Sequence, residues 1–224
     1  AMEINTNISS IFAANSLQSA NSNISDSVKR ISSGLRLSTD DPSSIGKADR
    51  LKAQIVSLAK ANDSVNNGIG ALQMMDSSLT EISNILLSMK ELAVSSSNAS
   101  SASADRTAND SAYQALLTSL DSASKLPTLG GTSLLNSASS LVYRVGAAST
   151  DTFSVSTYNT GYSALGLTTT KVDDATSAGT AEGLIDTAIN TVAAYQAKVG
   201  GQMKVLQSVG NVIDSVTTGA TSAY

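Results

Sequence analysis

Three stretches of the chain carry an apolar residue at every seventh position. In the longest, Leu51, Leu58, Val65, Leu72, Leu79, Leu86 and Ala93 fall in strict step. A second row, Ile55, Ala61, Ile69, Met75, Ile82 and Met89, threads between them at offsets of three or four residues. That spacing puts both rows on one narrow face of a helix, the seam by which long helices pack side by side. The pattern predicts a helix from about Pro42 to Ser96 or beyond, weakened locally at Gly68 and Gly70. Asp41 is placed to cap its start, with Pro42 at the first helical position, where a missing N–H costs nothing.

The other stretches flank it. Ile11, Leu17, Ile24, Val28, Ile31 and Leu35 predict a first helix from about Thr6 to Leu35, ended by Gly34. Near the end of the chain, Ile185, Val192, Val199, Leu206 and Ile213, supported by Ile189, Met203 and Val216, predict a helix from about Ala181 to Thr218. A shorter helix from about Ala104 to Ser124 follows the polar break SSSNASSASADR, with Ala108, Ala112, Leu116, Leu117, Leu120 and Ala123 as its apolar positions. Pro127 and Gly130–Gly131 stop it. The period then changes to two: Leu141, Tyr143 and Val145 alternate, then Phe153, Val155 and Thr157, with GAASTD between them. This is the pattern of a β-hairpin. Tyr143, Phe153 and Tyr158 are expected to cover one of its faces. The Thr-, Ser- and Gly-rich stretch from Tyr158 to Gly179 reads as loop. The fold class is therefore mainly α: a rod-like bundle of long antiparallel helices with a small β-hairpin element near 138–160.

Composition narrows what such a bundle can do. Of 224 residues, 41% are apolar but only 4% aromatic, so Leu, Ile, Val, Ala and Met must do the packing. That suits thin bundles. There is no His and no Cys, which excludes Ser–His triads, thiolate metal sites, cysteine nucleophiles and disulfides. A Ser–Lys pair is left open by composition, but no motif marks one. Asp40 and Asp41 form a carboxylate pair with no third ligand nearby, and helix capping accounts for them. No enzyme activity, cofactor or metal is expected. The net charge is −4 and no basic stripe exists. Lys29 and Arg30, or Lys47, Arg50 and Lys52, read as solvated helix charges, so no nucleic-acid partner is expected. No apolar run is long enough to span a membrane. The opening AMEINTNISSIF lacks the basic and apolar regions of a cleaved signal.

Several segments together resemble bacterial flagellin, the subunit of the flagellar filament. INTNISSIFAANSLQ from Ile4 is similar to the family's terminal helix. ISSGLRLSTDDPSSIGKADRL from Ile31 is similar to its most diagnostic motif. NDSVNNGIGALQMMDSSLTEISNILLSMKELAVSSSN from Asn62 is similar to its long helix, and YRVGA from Tyr143 to its hairpin. The resemblance covers almost the whole chain and implies a short form without outer surface domains. It implies residues 1–40 as a terminal core helix for polymerisation and export, and 41–224 as a rod domain of three long helices. It implies self-assembly with other copies of the chain, passage through the flagellar export apparatus, and an extracellular location in the flagellum. Ile4, Ile8, Ile11, Phe12 and Leu17 are the expected self-assembly residues of the terminal helix.

Flagellins usually continue past the position of Tyr224 into a last helix that packs on the first, so the chain is expected to be a truncated form. Its first helix then packs on another copy or folds back on its own rod. Some flagellins are recognised by a Toll-like innate immune receptor through an Arg on the long helix and a Glu on the next one. The matching positions here are Ser88 and Ala112, while Glu91 and Leu92 of the neighbouring KELAV match the family. Loss of two charged anchors implies weak recognition. Two alternatives stay open: the hook–filament junction protein of the same superfamily, and a ligand module for a host receptor or secretion chaperone. A protease-bearing flagellin would need a His-Glu-x-x-His motif.

Overall fold

The computed structural model describes residues 8–33 and 42–223. In chain order they form α1 (Ile8–Ser33), α2 (Pro42–Ser97), α3 (Ser103–Lys125), β1 (Thr128–Leu129), β2 (Thr132–Ser133), β3 (Ser140–Arg144), β4 (Thr152–Ser156) and α4 (Ala175–Ala223). The chain divides into two compact units, one up to Ala53 and one from Gln54 to Ala223. The first holds α1 and the opening turns of α2. The predicted roles of Gly34 as a helix stop and Asp41 as a cap lie outside the described residues. So does the Asp40–Asp41 pair.

In the second unit, α2 and α4 run antiparallel. Asn62 donates to Asp214 at 2.7 Å, Gln196 to Thr80 at 3.3 Å, and Lys90 to Asp186 at 2.6 Å. From Asn62 to Thr80 is the same number of residues as from Gln196 to Asp214, and Thr80 to Lys90 matches Asp186 to Gln196. The two helices therefore keep one register over this whole length, as equal heptad seams require. Leu58, Val65, Leu72, Leu79, Leu86 and Ala93 are all buried, facing Ala178, Ile185, Val192, Val199, Leu206, Ile213 and Ala220 of α4 in one apolar cluster. Each buried Leu, Ile or Val contributes about 1.5–3 kcal/mol over leaving it in water.

The second row of α2 departs from its sequence reading. Ile55 and Ile69 are only half-buried, and Gly68 takes the buried position of that layer. A Cβ on Gly68 would lie 3.0 Å from Leu206 Cδ1 and 3.4 Å from Tyr143 Cδ2. The glycine thus marks where the hairpin's tyrosine and α4 meet the long helix. The β3–β4 hairpin has the predicted alternation, with Leu141 opposite Val155 and Tyr143 opposite Phe153.

Four further expectations are corrected. In α3 the inward face is Tyr113, Leu117, Leu120 and Ser124, while Ala108 and Ala112 are exposed. The Tyr113 hydroxyl explains the difference: it donates to Thr170 Oγ1 at 2.8 Å, so the ring is buried with its polar tip satisfied. Gly130 and Gly131 do more than stop a helix. With φ of 57° and 81° they form the two-residue turn joining β1 to β2. The stretch after Tyr158 is an ordered strap and not a solvated loop. Leu165, Leu167 and Val172 are buried, and Thr160 and Tyr158 donate backbone N–H groups to Leu135 and Leu134. Finally, α4 starts a turn and a half earlier than its apolar row suggested. Asp174 Oδ1 accepts from the N–H groups of Thr176 and Ser177, each at 2.9 Å, and so caps a weak Thr/Ser/Gly first turn.

Candidate assembly surfaces

Within α1, Phe12 and Leu17 are 73% and 70% exposed, and Ile24 and Val28 are also largely open to water. Leu17, Ile24 and Val28 follow one another at seven and four residues, so they share a helix face. Ile8 and Ile11 lie on the same helix with side chains outside the described set, and Ile4 lies outside the described residues. A stripe of this kind, left in water, carries a cost of about 25 cal/mol per Å² that association removes.

The receptor-type positions fall on the α2–α3 side of the second unit. Ser88 and Glu91 are exposed, Leu92 is half-buried against the core, and Ala112 is exposed. Asn109 donates to the Ser96 hydroxyl at 3.0 Å, and the antiparallel run of α3 then puts Ala112 level with Leu92–Ala93. The structure therefore brings the four positions into one region, with no charge at Ser88 or Ala112. Arg106 anchors that region. Its Nε donates to the Ser96 carbonyl at 2.8 Å and its Nη2 to the Asn98 carbonyl at 2.9 Å. A cation thereby satisfies the open carbonyls at the end of α2.

Nearby charges are dominated by carboxylates. Lys90 has its pKa raised, first by the hydrogen bond from its ammonium to Asp186 and then, against the opposing cost of desolvation, by the charges of Asp186 and Glu182. Lys171 is raised in the same sense by Asp173, with Asp174 and Asp110 adding to it. Among the described residues no group of three His, Cys, Asp or Glu side chains is arranged to hold a metal, and no helix is long and apolar enough to cross a membrane.

One surface was not anticipated from the sequence. Along α4, Val205, Val209 and Val212 follow the i, i+4, i+7 spacing of a single face. With Val145 of the hairpin edge, Lys204 and Ser208 they line an open groove of about 400 Å³. Val205 is 49% and Val212 62% exposed. Val216, one further turn along, continues the row and is also exposed, so it belongs to this face and not to the core. The signal was a second valine row in α4, hidden beside the stronger heptad. Next to the groove, Tyr158 leaves the hairpin face to stack on Tyr195 of α4, with ring centres 4.3 Å apart.

Long antiparallel helices with heptad cores, two small hairpins and apolar outer faces define a helical-bundle protein whose surfaces suit association more than chemistry. The description "bacterial flagellin N-terminal helical region" fits residues 4–140, and the chain belongs to the flagellin family. It is 32% identical to polar flagellin F of Vibrio parahaemolyticus over 66% of this chain and 40% of that protein. It is 29% identical to a flagellin of Salmonella typhimurium over 99% of this chain and 48% of that protein. The chain thus spans about half the length, or less, of these relatives. The crystal structure of Bacillus cereus flagellin superposes with a TM-score of 0.62 at 27% identity, covering 73% of this chain and 95% of that one. A protein from Vibrio parahaemolyticus described as flagellar hook-associated shares the fold, with a TM-score of 0.69 at 15% identity over 84% of this chain.

Proposed function

We propose that the chain is a structural subunit that assembles with copies of itself into an extracellular flagellar filament, after passage through the flagellar export apparatus. The observation that carries this reading is the exposed apolar face of α1, Phe12, Leu17, Ile24 and Val28, in a chain of the flagellin family. A helix with such a face is stabilised by a second helix laid along it. No catalytic, cofactor or nucleic-acid role is proposed.

Seeded growth tests the reading. Fluorescently labelled chain is added to short filaments from the same bacterium, and its position is recorded by light and electron microscopy. Incorporation along the newly grown length is the expected result. Label confined to filament ends would favour the junction-protein alternative, which shares this fold with the hook-associated relative. No incorporation would overturn both.

A further inference from the structure

We propose that the valine groove on α4 is the receiving half of a head-to-tail contact between copies of this chain, and that it takes the exposed Leu87–Glu91–Val94 face of α2 from the next copy. The inference deepens the filament-subunit reading and rests on it.

Two features of the second unit match. The groove presents Val205, Val209 and Val212 at i, i+4 and i+7, with Lys204 on its edge. On α2, Leu87, Glu91 and Val94 have the same spacing. Leu87 and Val94 are 48% and 46% exposed, although the turns around them are packed into the core. Lys204 and Glu91 have no ion-pair partner among the described residues, whereas Lys90, one position from Glu91, is engaged by Asp186. A cation beside one apolar face and a carboxylate within the other give the contact a sign and a register, as opposite charges do at protein interfaces. A groove-to-groove contact would set Lys204 near its own copy, and a contact between two Leu87–Val94 faces would oppose two Glu91 carboxylates.

The two faces cannot meet within one chain. The register set by Lys90 and Asp186 puts Val94 level with Glu182, and Val205 lies a further 23 residues along α4, about 35 Å at the helical rise. The pairing is therefore between copies and heterologous. A heterologous contact that does not close generates an open chain of subunits.

Because the chain contains no cysteine, paired cysteines report the contact directly. The full chain carrying both Val94→Cys and Val205→Cys is oxidised at concentrations where sedimentation is used to follow self-association. A disulfide requires Cα atoms closer than about 7 Å, so bonds between these positions must join different copies. The expected result is a ladder of covalent dimers, trimers and longer species from the double variant, with each single variant staying monomeric. Lys204→Glu should weaken association about tenfold, and adding Glu91→Lys should restore it. Dimers from Val205→Cys alone would overturn the proposal in favour of a two-fold groove contact. Oligomers or filaments that form without the ladder would overturn it while leaving the filament reading intact. A chain that neither associates nor enters seeded filaments would overturn both.

Discussion

Gly68 occupies a buried layer of the α2 seam because a side chain there would press on Leu206 and Tyr143. Replacing it with Ala gains about 1 kcal/mol of helix propensity. It also overpacks a site whose neighbour Leu206 is fully buried, at a cost of about 1–3 kcal/mol. Gly68→Ala should lower stability by about 1 kcal/mol in urea denaturation. Gly70, two residues on, has open space at its Cβ, so Gly70→Ala should raise stability by about 0.5–1 kcal/mol. Tyr113 is the second decisive residue. Its hydroxyl bonds Thr170 Oγ1, which in turn donates to the Leu167 carbonyl at 2.8 Å. Tyr113→Phe should cost about 1–2 kcal/mol by removing the donor and leaving a buried oxygen short of a partner. Burial raises the Tyr113 pKa above its ordinary value, opposed by the hydrogen bond to Thr170. Tyr143 and Tyr158 are raised chiefly by burial too. As pH rises through about 10, the unfolded chain loses these protons first, so it binds fewer than the folded one and stability falls. The urea midpoint should drop across that range, and less so in Tyr113→Phe.

At the scale of the elements, the helix ends carry the information that the apolar rows omit. Asp174 begins α4, and its carboxyl is held below the usual range first by the Ser177 hydroxyl and then by the Ser177 N–H. Its contribution is present above the unfolded carboxylate pKa near 4 and is lost as pH falls through the lowered folded value. Asp174→Ala should leave the heptad core in place but speed amide exchange at Thr176 and Ser177, a change that acid should reproduce in the parent chain. At the other junction, Arg106 closes the end of α2 from α3. Arg106→Ala should cost about 1–2 kcal/mol, since it removes charge-assisted bonds to carbonyls at a helix C-terminus. Thermal melting followed by circular dichroism would measure it. The polar break between these helices reads as filler in the sequence, yet it holds the α2–α3 turn in one geometry.

At the scale of the molecule, one apolar cluster draws on α2, α3, the strap after Tyr158 and α4, so the second unit gains its stability as a whole. What that cluster leaves exposed is the basis for assembly: the α1 stripe, the valine groove, and the Leu87–Val94 face. The exposed α2–α3 region also bears on recognition by a host. Ser88 and Ala112 stand without charge where flagellins seen by the immune receptor carry Arg and Glu. Truncating such anchors costs upwards of about 2 kcal/mol each at protein interfaces. The chain should therefore give a weak response in a receptor reporter assay, and Ser88→Arg with Ala112→Glu should raise it.

The heptad rows by themselves determined the long helices, their mutual packing and the absence of His- or Cys-based chemistry, because a seven-residue apolar repeat has one economical burial and missing residue types cannot act. Period-two alternation likewise determined the β3–β4 hairpin. Only the tertiary structure decided which residue of each layer goes inside. Gly68 replaces Ile69 because Tyr143 arrives from far along the chain, and Tyr113 displaces Ala112 because Thr170 meets its hydroxyl. The strap after Tyr158 is ordered by hydrogen bonds to Leu134 and Leu135, which no local pattern announces. The outer valine row of α4 was present in the sequence all along. It became a surface only when the inner row was committed to α2, since a helix has two sides and its partners choose which one is buried.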